Sequence, residues 1–307
     1  MIAVHIGFPK TGTTTQQKHL FAKHSQVSYL GKPYENEVLK KEILKLVMEE
    51  SLTYDPTILK EYLVQQAAKE NNQGKKLMVL SDELLVSASK VRDKGVVANR
   101  IKEVFAPAKI LVTIRNQLEM LKSAYVNSGR LLKHVPPKYK KLAITFEDWL
   151  EMTWENPDRS YIGNISYANT IDYYVKLFGK ENVCVLLFEE FVSNKEEYTR
   201  KLSEFLNIDA DESGRLLEGQ HENPGLLQSQ LDLELSLSKW GIPGRLPLIP
   251  GILGRWYRLK GLFNRDEKAR VHLPKSWQER LKKFYSEGNR KLINHYHLPM
   301  EKYGYLL

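Results

Sequence analysis

Short apolar runs alternate with apolar residues at helical spacing along most of the chain. Ile2–Ala3–Val4 and Ile6 form a buried-strand pattern that stops in the turn Gly7–Phe8–Pro9–Lys10–Thr11–Gly12; Gln17, Leu20 and Phe21 then follow at helical spacing. Val38–Glu50 carries Leu39, Ile43, Leu46 and Val47 on one face. Asp55–Pro56 supplies an N-cap and a first-turn proline for a helix with Ile58, Leu59, Tyr62 and Leu63. Leu77–Leu80 reads as a second strand ending in Ser81–Asp82–Glu83, and Val96–Phe105 as a helix ended by Pro107. Ile110–Ile114 is a third strand, closed by Arg115–Asn116 and followed by a helix through Leu118, Leu121, Ala124 and Tyr125. Further on, Thr145–Phe146–Glu147–Asp148 resembles a capping box. Ser166–Phe178 reads as a helix, Val183–Phe188 as a strand, and Leu226–Leu237 and about Ser276–Ile293 as helices. This alternation predicts an α/β protein with a mainly parallel central sheet flanked by helices, its ligands bound outside the carboxyl ends of the strands. No internal repeat or low-complexity segment divides 1–307, so a single domain is expected.

The first of those strand ends carries the most chemistry. A buried strand, a glycine turn and a helix N-terminus bring unpaired backbone N–H groups and the positive end of the helix dipole to one point, which suits an anion. Gly7 and Gly12 are spaced as in a nucleotide P-loop, but Thr13 occupies the place of that motif's lysine, and the lysine present, Lys10, lies inside the loop. No magnesium-binding signature accompanies it. Phe8–Pro9–Lys10–Thr11–Gly12–Thr13–Thr14 resembles the 5′-phosphosulfate loop of sulfotransferases that use 3′-phosphoadenosine 5′-phosphosulfate (PAPS).

A second feature distinguishes this reading from a kinase. Arg115 ends a strand and Ser123 follows eight residues later within the next helix, so a guanidinium and a hydroxyl on one strand–helix unit can share a phosphate. The spacing is similar to the 3′-phosphate site of the same family; Gln117 departs from the proline that often follows the asparagine. The resemblance covers roughly Ile2–Leu206. It implies a P-loop NTPase-like sulfotransferase fold and PAPS as co-substrate without a required metal. It further implies Lys10 on the transferring sulfuryl group and bridging oxygen, Thr11, Gly12, Thr13 and Thr14 on the 5′-phosphate, and Arg115 with Ser123 on the 3′-phosphate.

Transfer to a hydroxyl also needs a base. Family branches use a histidine or a glutamate. Glu83, at the mouth of the second core strand, is the expected base, with Asp82 as the alternative; the competing role for the Ser81–Glu83 stretch is helix capping. Tyr167, at a helix start, either lies against the adenine or packs, and packing is favoured. Glu189 and Glu190 are expected to cap or orient loops. His5 reads as a core histidine, and His19 and His24 as residues of the first helix.

Composition adds a location and a partner class. The net charge of +9 comes from one segment: between Lys239 and Lys291 there are 14 Lys/Arg against 4 Asp/Glu, and the rest of the chain is close to neutral. A local surplus of this kind suits an anionic partner. With scattered Trp and Tyr residues it points to a sugar-bearing or anionic acceptor, a carbohydrate or glycolipid hydroxyl, and the stretch Trp240–Phe263 reads as an acceptor-binding flap, a membrane-surface patch or a subunit contact. The segment has no nucleic-acid reading motif, and nucleic acid is not expected as a partner. The basic loop Lys133–Lys141 either borders the acceptor cleft or is simply solvated, and Gln220–Gly225 is either part of a loop over the cofactor, through Asn223, or an ordinary polar turn. The single Cys184 excludes an internal disulfide framework and reads as a core residue. With a first strand starting at Ile2, it leads to the expectation of a cytoplasmic protein.

Overall fold

The computed structural model describes residues 1–71, 74–86, 93–131, 142–219, 226–241 and 267–307. The Lys133–Lys141 loop, the Gln220–Gly225 turn and most of Trp240–Phe263 lie outside the described residues.

The chain forms two compact units. The first comprises Met1–Asn116, Asp158–Glu222 and Tyr285–Leu307. Its sheet holds β1 (Ile2–His5), β2 (Val27–Tyr29), β3 (Leu77–Ser81), β4 (Ala108–Ile114) and β5 (Val183–Leu187), all parallel, in the order β2-β3-β1-β4-β5. The expected mainly parallel sheet is therefore present, with β1 at its centre. A parallel sheet covered on both faces needs apolar residues on both sides of each strand. Ala3, Val4, Leu77, Val79, Leu80, Ile110, Leu111 and Val112 are all buried. The helices are α1 (Thr13–Thr15), which runs on into a π-helical stretch Gln16–Phe21, α2 (Glu37–Met48), α3 (Thr57–Asn71) and α4 (Lys94–Phe105). The strand β2 was not foreseen: three residues carry too little pattern to register.

The second unit, Gln117–Pro157 with Asn223–Phe284, contains α5 (Gln117–Asn127) and α6 (Phe146–Trp154). Thr145 caps α6 by accepting from the Asp148 amide at 3.1 Å, as the capping pattern predicts. Tyr125, Phe146 and Trp149 pack ring to ring, and the Tyr125 hydroxyl donates to the Ile144 carbonyl at 2.7 Å. In the first unit follow α7 (Tyr161–Asn164), α8 (Tyr167–Phe178), α9 (Phe188–Ser193), α10 (Lys195–Leu206) and α11 (Ala210–Leu217); α12 (Gln228–Lys239) returns to the second. Arg130 clamps Glu234 of α12 at 2.5 and 3.1 Å. In α13 (Lys275–Tyr296), the Arg280 guanidinium lies over Trp277 at 4.2 Å and over Trp154 at 4.5 Å.

Three local expectations are corrected. Phe188 opens α9 rather than ending β5. His24 lies in the turn after the first helix, not on it. Cys184 is only partly covered, because β5 is an edge strand; burial still pushes its thiol up to about 12. Among the described residues no helix is long and apolar enough to cross a membrane.

Candidate functional site

After β1 the chain keeps following β4: the Ile6 amide donates to Leu111 O at 2.9 Å and the Phe8 amide to Thr113 O at 3.0 Å. The loop then turns away with Lys10 at φ 70° and Gly12 at φ 78°. Both residues are in the left-handed region, where a side chain is strained and glycine is not. A Cβ at Gly12 would also come within 3.1 Å of the Phe188 ring, and one at Gly7 within 2.3 Å of Thr13 Cγ2. At Gly7 and Gly12 the loop leaves little room for a Cβ.

Within it the threonines divide their duties. A hydroxyl has one proton to donate. Thr11 gives its proton to the Phe8 carbonyl at 2.6 Å, and Thr13 gives its proton to Glu83 Oε1 at 2.5 Å. At these two positions the donors presented to an anion are backbone N–H groups at the start of the helix. Thr14 sits half-buried on the same first turn.

Glu83 comes to the loop because β3 lies beside β1 and releases its chain at Ser81, the residue paired with His5. Besides Thr13, the Glu83 carboxylate faces Gln17 Nε2 at 3.4 Å and Lys32 Nζ at 3.6 Å. Asp82 turns elsewhere. It caps the turn Glu83–Leu85 through the Leu84 amide at 2.9 Å and accepts from the Tyr34 hydroxyl at 2.7 Å, 1% exposed. The cap is thus Asp82, while Ser81 remains a strand residue.

Arg115 enters from the end of β4. Its Nη1 donates to the Lys10 carbonyl at 3.1 Å, and its guanidinium lies 4.8 Å over the Phe188 ring. Burial, and then the Arg115 charge, hold the Lys10 ammonium below its usual pKa. Two cations beside a helix N-terminus make a donor set fitted to a polyanion, whose charge would relieve their repulsion. Lys10, Thr11, Gly12, Thr13, Thr14, Glu83 and Arg115 gather at one loop; Ser123 stands half-buried in α5, in the other unit.

The family model for the sulfotransferase domain matches residues 3–222. The chain belongs to the sulfotransferase family. Among curated proteins none matches the chain. Solved structures similar to this sulfotransferase include one from Alicyclobacillus acidocaldarius, 18% identical, covering 76% of this chain and 90% of that one with a TM-score of 0.47. The sulfotransferase domain of the curacin biosynthetic pathway is 15% identical, with 72% and 78% covered and a TM-score of 0.42. Mouse sulfotransferase SULT7A1, solved with PAP, is 13% identical, with 77% and 64% covered and a TM-score of 0.40.

Beneath the sulfotransferase loop lies a polar row that sequence alone did not reveal. Side chains alternate across a strand, so His5, Ser81 and Thr113 share one face of three adjacent strands. His5 Nδ1 meets Ser81 Oγ at 2.8 Å, its Nε2 meets Thr113 Oγ1 at 2.9 Å, and Gln17 Nε2 donates to Ser81 Oγ at 3.1 Å. His5 is 1% exposed, a core histidine as expected. Burial pushes its pKa from 6.5 down to about 4, against the raising effect of the Glu83 charge. Below pH 6.5 the unfolded chain therefore takes up a proton that the folded chain refuses. The stability that this group contributes is complete above that pH and declines as pH falls toward about 4. His5→Gln is expected to flatten the acid limb of the melting-temperature curve over that interval; equal slopes for variant and wild type would refute it.

Tyr167 packs, as favoured: it is 1% exposed, lies edge-on to Phe8 at 4.8 Å and donates to the Arg115 carbonyl at 2.7 Å. Glu190 pairs with Lys201 at 2.7 Å, and Glu189 accepts from the Asn116 amide at 2.8 Å, so both glutamates orient chain segments.

Proposed function

We propose that this sulfotransferase moves a sulfuryl group from PAPS to an acceptor hydroxyl. The supporting observation is the meeting of Lys10, Arg115 and Glu83 at one glycine-lined helix start. When bound, PAPS supplies the activated sulfuryl group. In this reading the amides of Thr11, Gly12, Thr13 and Thr14 hold the 5′-phosphate, and Arg115 and Ser123 the 3′-phosphate. Glu83 takes the proton of the attacking hydroxyl as its oxygen bonds to sulfur. Lys10 and the loop amides stabilise the charge arriving on the departing phosphate oxygen as the old S–O bond breaks. A sulfuryl group carries less charge than a phosphoryl group, so this donor set serves without a metal.

Calorimetry with 3′-phosphoadenosine 5′-phosphate (PAP) tests the reading. Micromolar binding, indifferent to magnesium and about 10- to 100-fold weaker in Arg115→Ala, is the expected result, the scale of a charged hydrogen-bonded contact. Binding of ATP–magnesium in place of PAP would refute the assignment of this loop and of Arg115 to PAPS.

For the acceptor we propose a carbohydrate or glycolipid hydroxyl, supported by the basic surplus between Lys239 and Lys291 and by its aromatic residues. In the same reading 1–307 works as one sulfotransferase domain in the cytoplasm, with that segment touching anionic surfaces. Sulfate uptake by phenols or sterols alone, in a panel that includes glycans, would refute the acceptor class.

A further inference from the structure

Arg115 is held from several directions by neighbouring residues. Its carbonyl accepts from Tyr167. The next residue, Asn116, is 7% exposed: its backbone N–H donates to Glu189 Oε1 at 2.8 Å, and its side-chain amide donates to the carbonyls of Tyr303 at 3.1 Å and Gly304 at 2.8 Å. The second oxygen of Glu189 accepts from the hydroxyl of Tyr305, 4% exposed, at 3.0 Å. One carboxylate at the end of β5 thus joins the end of β4 to the 303–305 segment. Its two oxygens take neutral donors, the Asn116 amide and the Tyr305 hydroxyl.

We propose that Asn116, Glu189 and Tyr305 are positioning residues that set Arg115 for the 3′-phosphate of the nucleotide, an inference that rests on the reading of Arg115 given above. None of the three needs to touch the nucleotide. Each fixes the backbone on which the guanidinium is mounted, and a displacement of about 1 Å in a clamp of this kind is enough to weaken it markedly. A ligand without a 3′-phosphate should be indifferent to them.

That difference supplies the test. PAP and adenosine 5′-monophosphate are titrated into wild type, Arg115→Ala, Tyr305→Phe and Asn116→Ala, with circular dichroism confirming the fold. Tyr305→Phe removes one oxygen and keeps the packing, so it serves if Asn116→Ala does not fold. The wild type is expected to prefer PAP, and the preference should fall about tenfold in Tyr305→Phe, the scale of one hydrogen bond, and at least as far in Asn116→Ala, which loses two, while affinity for the monophosphate is unchanged. Equal weakening for both nucleotides, or an unchanged preference, overturns the positioning role. A preference lost in Arg115→Ala but kept in the other variants overturns this inference alone. A preference kept in Arg115→Ala overturns the reading of Arg115 and this inference with it.

Discussion

Glu83→Gln is expected to lower kcat by about a thousandfold and to leave PAP affinity where it was, within the usual range for loss of a general base. Glutamine keeps the length of the side chain and can still accept from the Thr13 hydroxyl, which sits 2.5 Å from Glu83 Oε1. It cannot take the acceptor's proton. The loop geometry and the nucleotide site should therefore survive while chemistry stops. Turnover on a hydroxyl acceptor identified by the panel, measured beside calorimetric binding of PAP, reads both quantities. Retained turnover would remove Glu83 from the role, and Asp82 would be a poor replacement, since its two oxygens are already engaged by the Leu84 amide and the Tyr34 hydroxyl.

Lys10 has a similarly large expected effect, with an added signature in stability. Lys10→Ala and Lys10→Gly should each lose about 100- to 1000-fold in kcat, the scale for removing one donor to a developing charge. Their melting temperatures should separate. Lys10 holds φ 70°, and an alanine there keeps a left-handed strain of about 1 kcal/mol that glycine does not have. Glycine's greater freedom when unfolded offsets part of that gain. Lys10→Gly is expected to melt roughly 1–3 °C above Lys10→Ala, with both equally inactive. The reverse order would show that the loop is not strained at this residue.

Which parts of this were readable from the sequence follows from the range of each interaction. The strand–loop–helix at 2–21 was legible because strand pattern, glycines and helix pattern are contiguous, and β3, β4 and β5 were legible as apolar runs with polar ends. The placement of Glu83 was legible from the rule that ligands collect at strand ends. The commitments of individual atoms were not. The Thr11 hydroxyl could serve an anion or the Phe8 carbonyl, and only the turn's closure decides. Asn116 finds Glu189 across 73 residues and Gly304 across 188, distances at which a single sequence carries no pairing signal. Glu189 was the nearest to being found, because it follows a strand end just as Glu83 does.

The central place of β1 bears on how the chain is made. Its neighbours are β3 and β4, and the His5–Thr113 contact joins residues 108 apart in the chain. During synthesis the Gly7–Gly12 loop emerges long before the strand that fixes its far side. At about 5–20 residues per second, that interval is on the order of 5–20 s. Throughout it an apolar strand and a glycine turn are on the ribosome without their sheet, a period in which a chaperone would have to shield them.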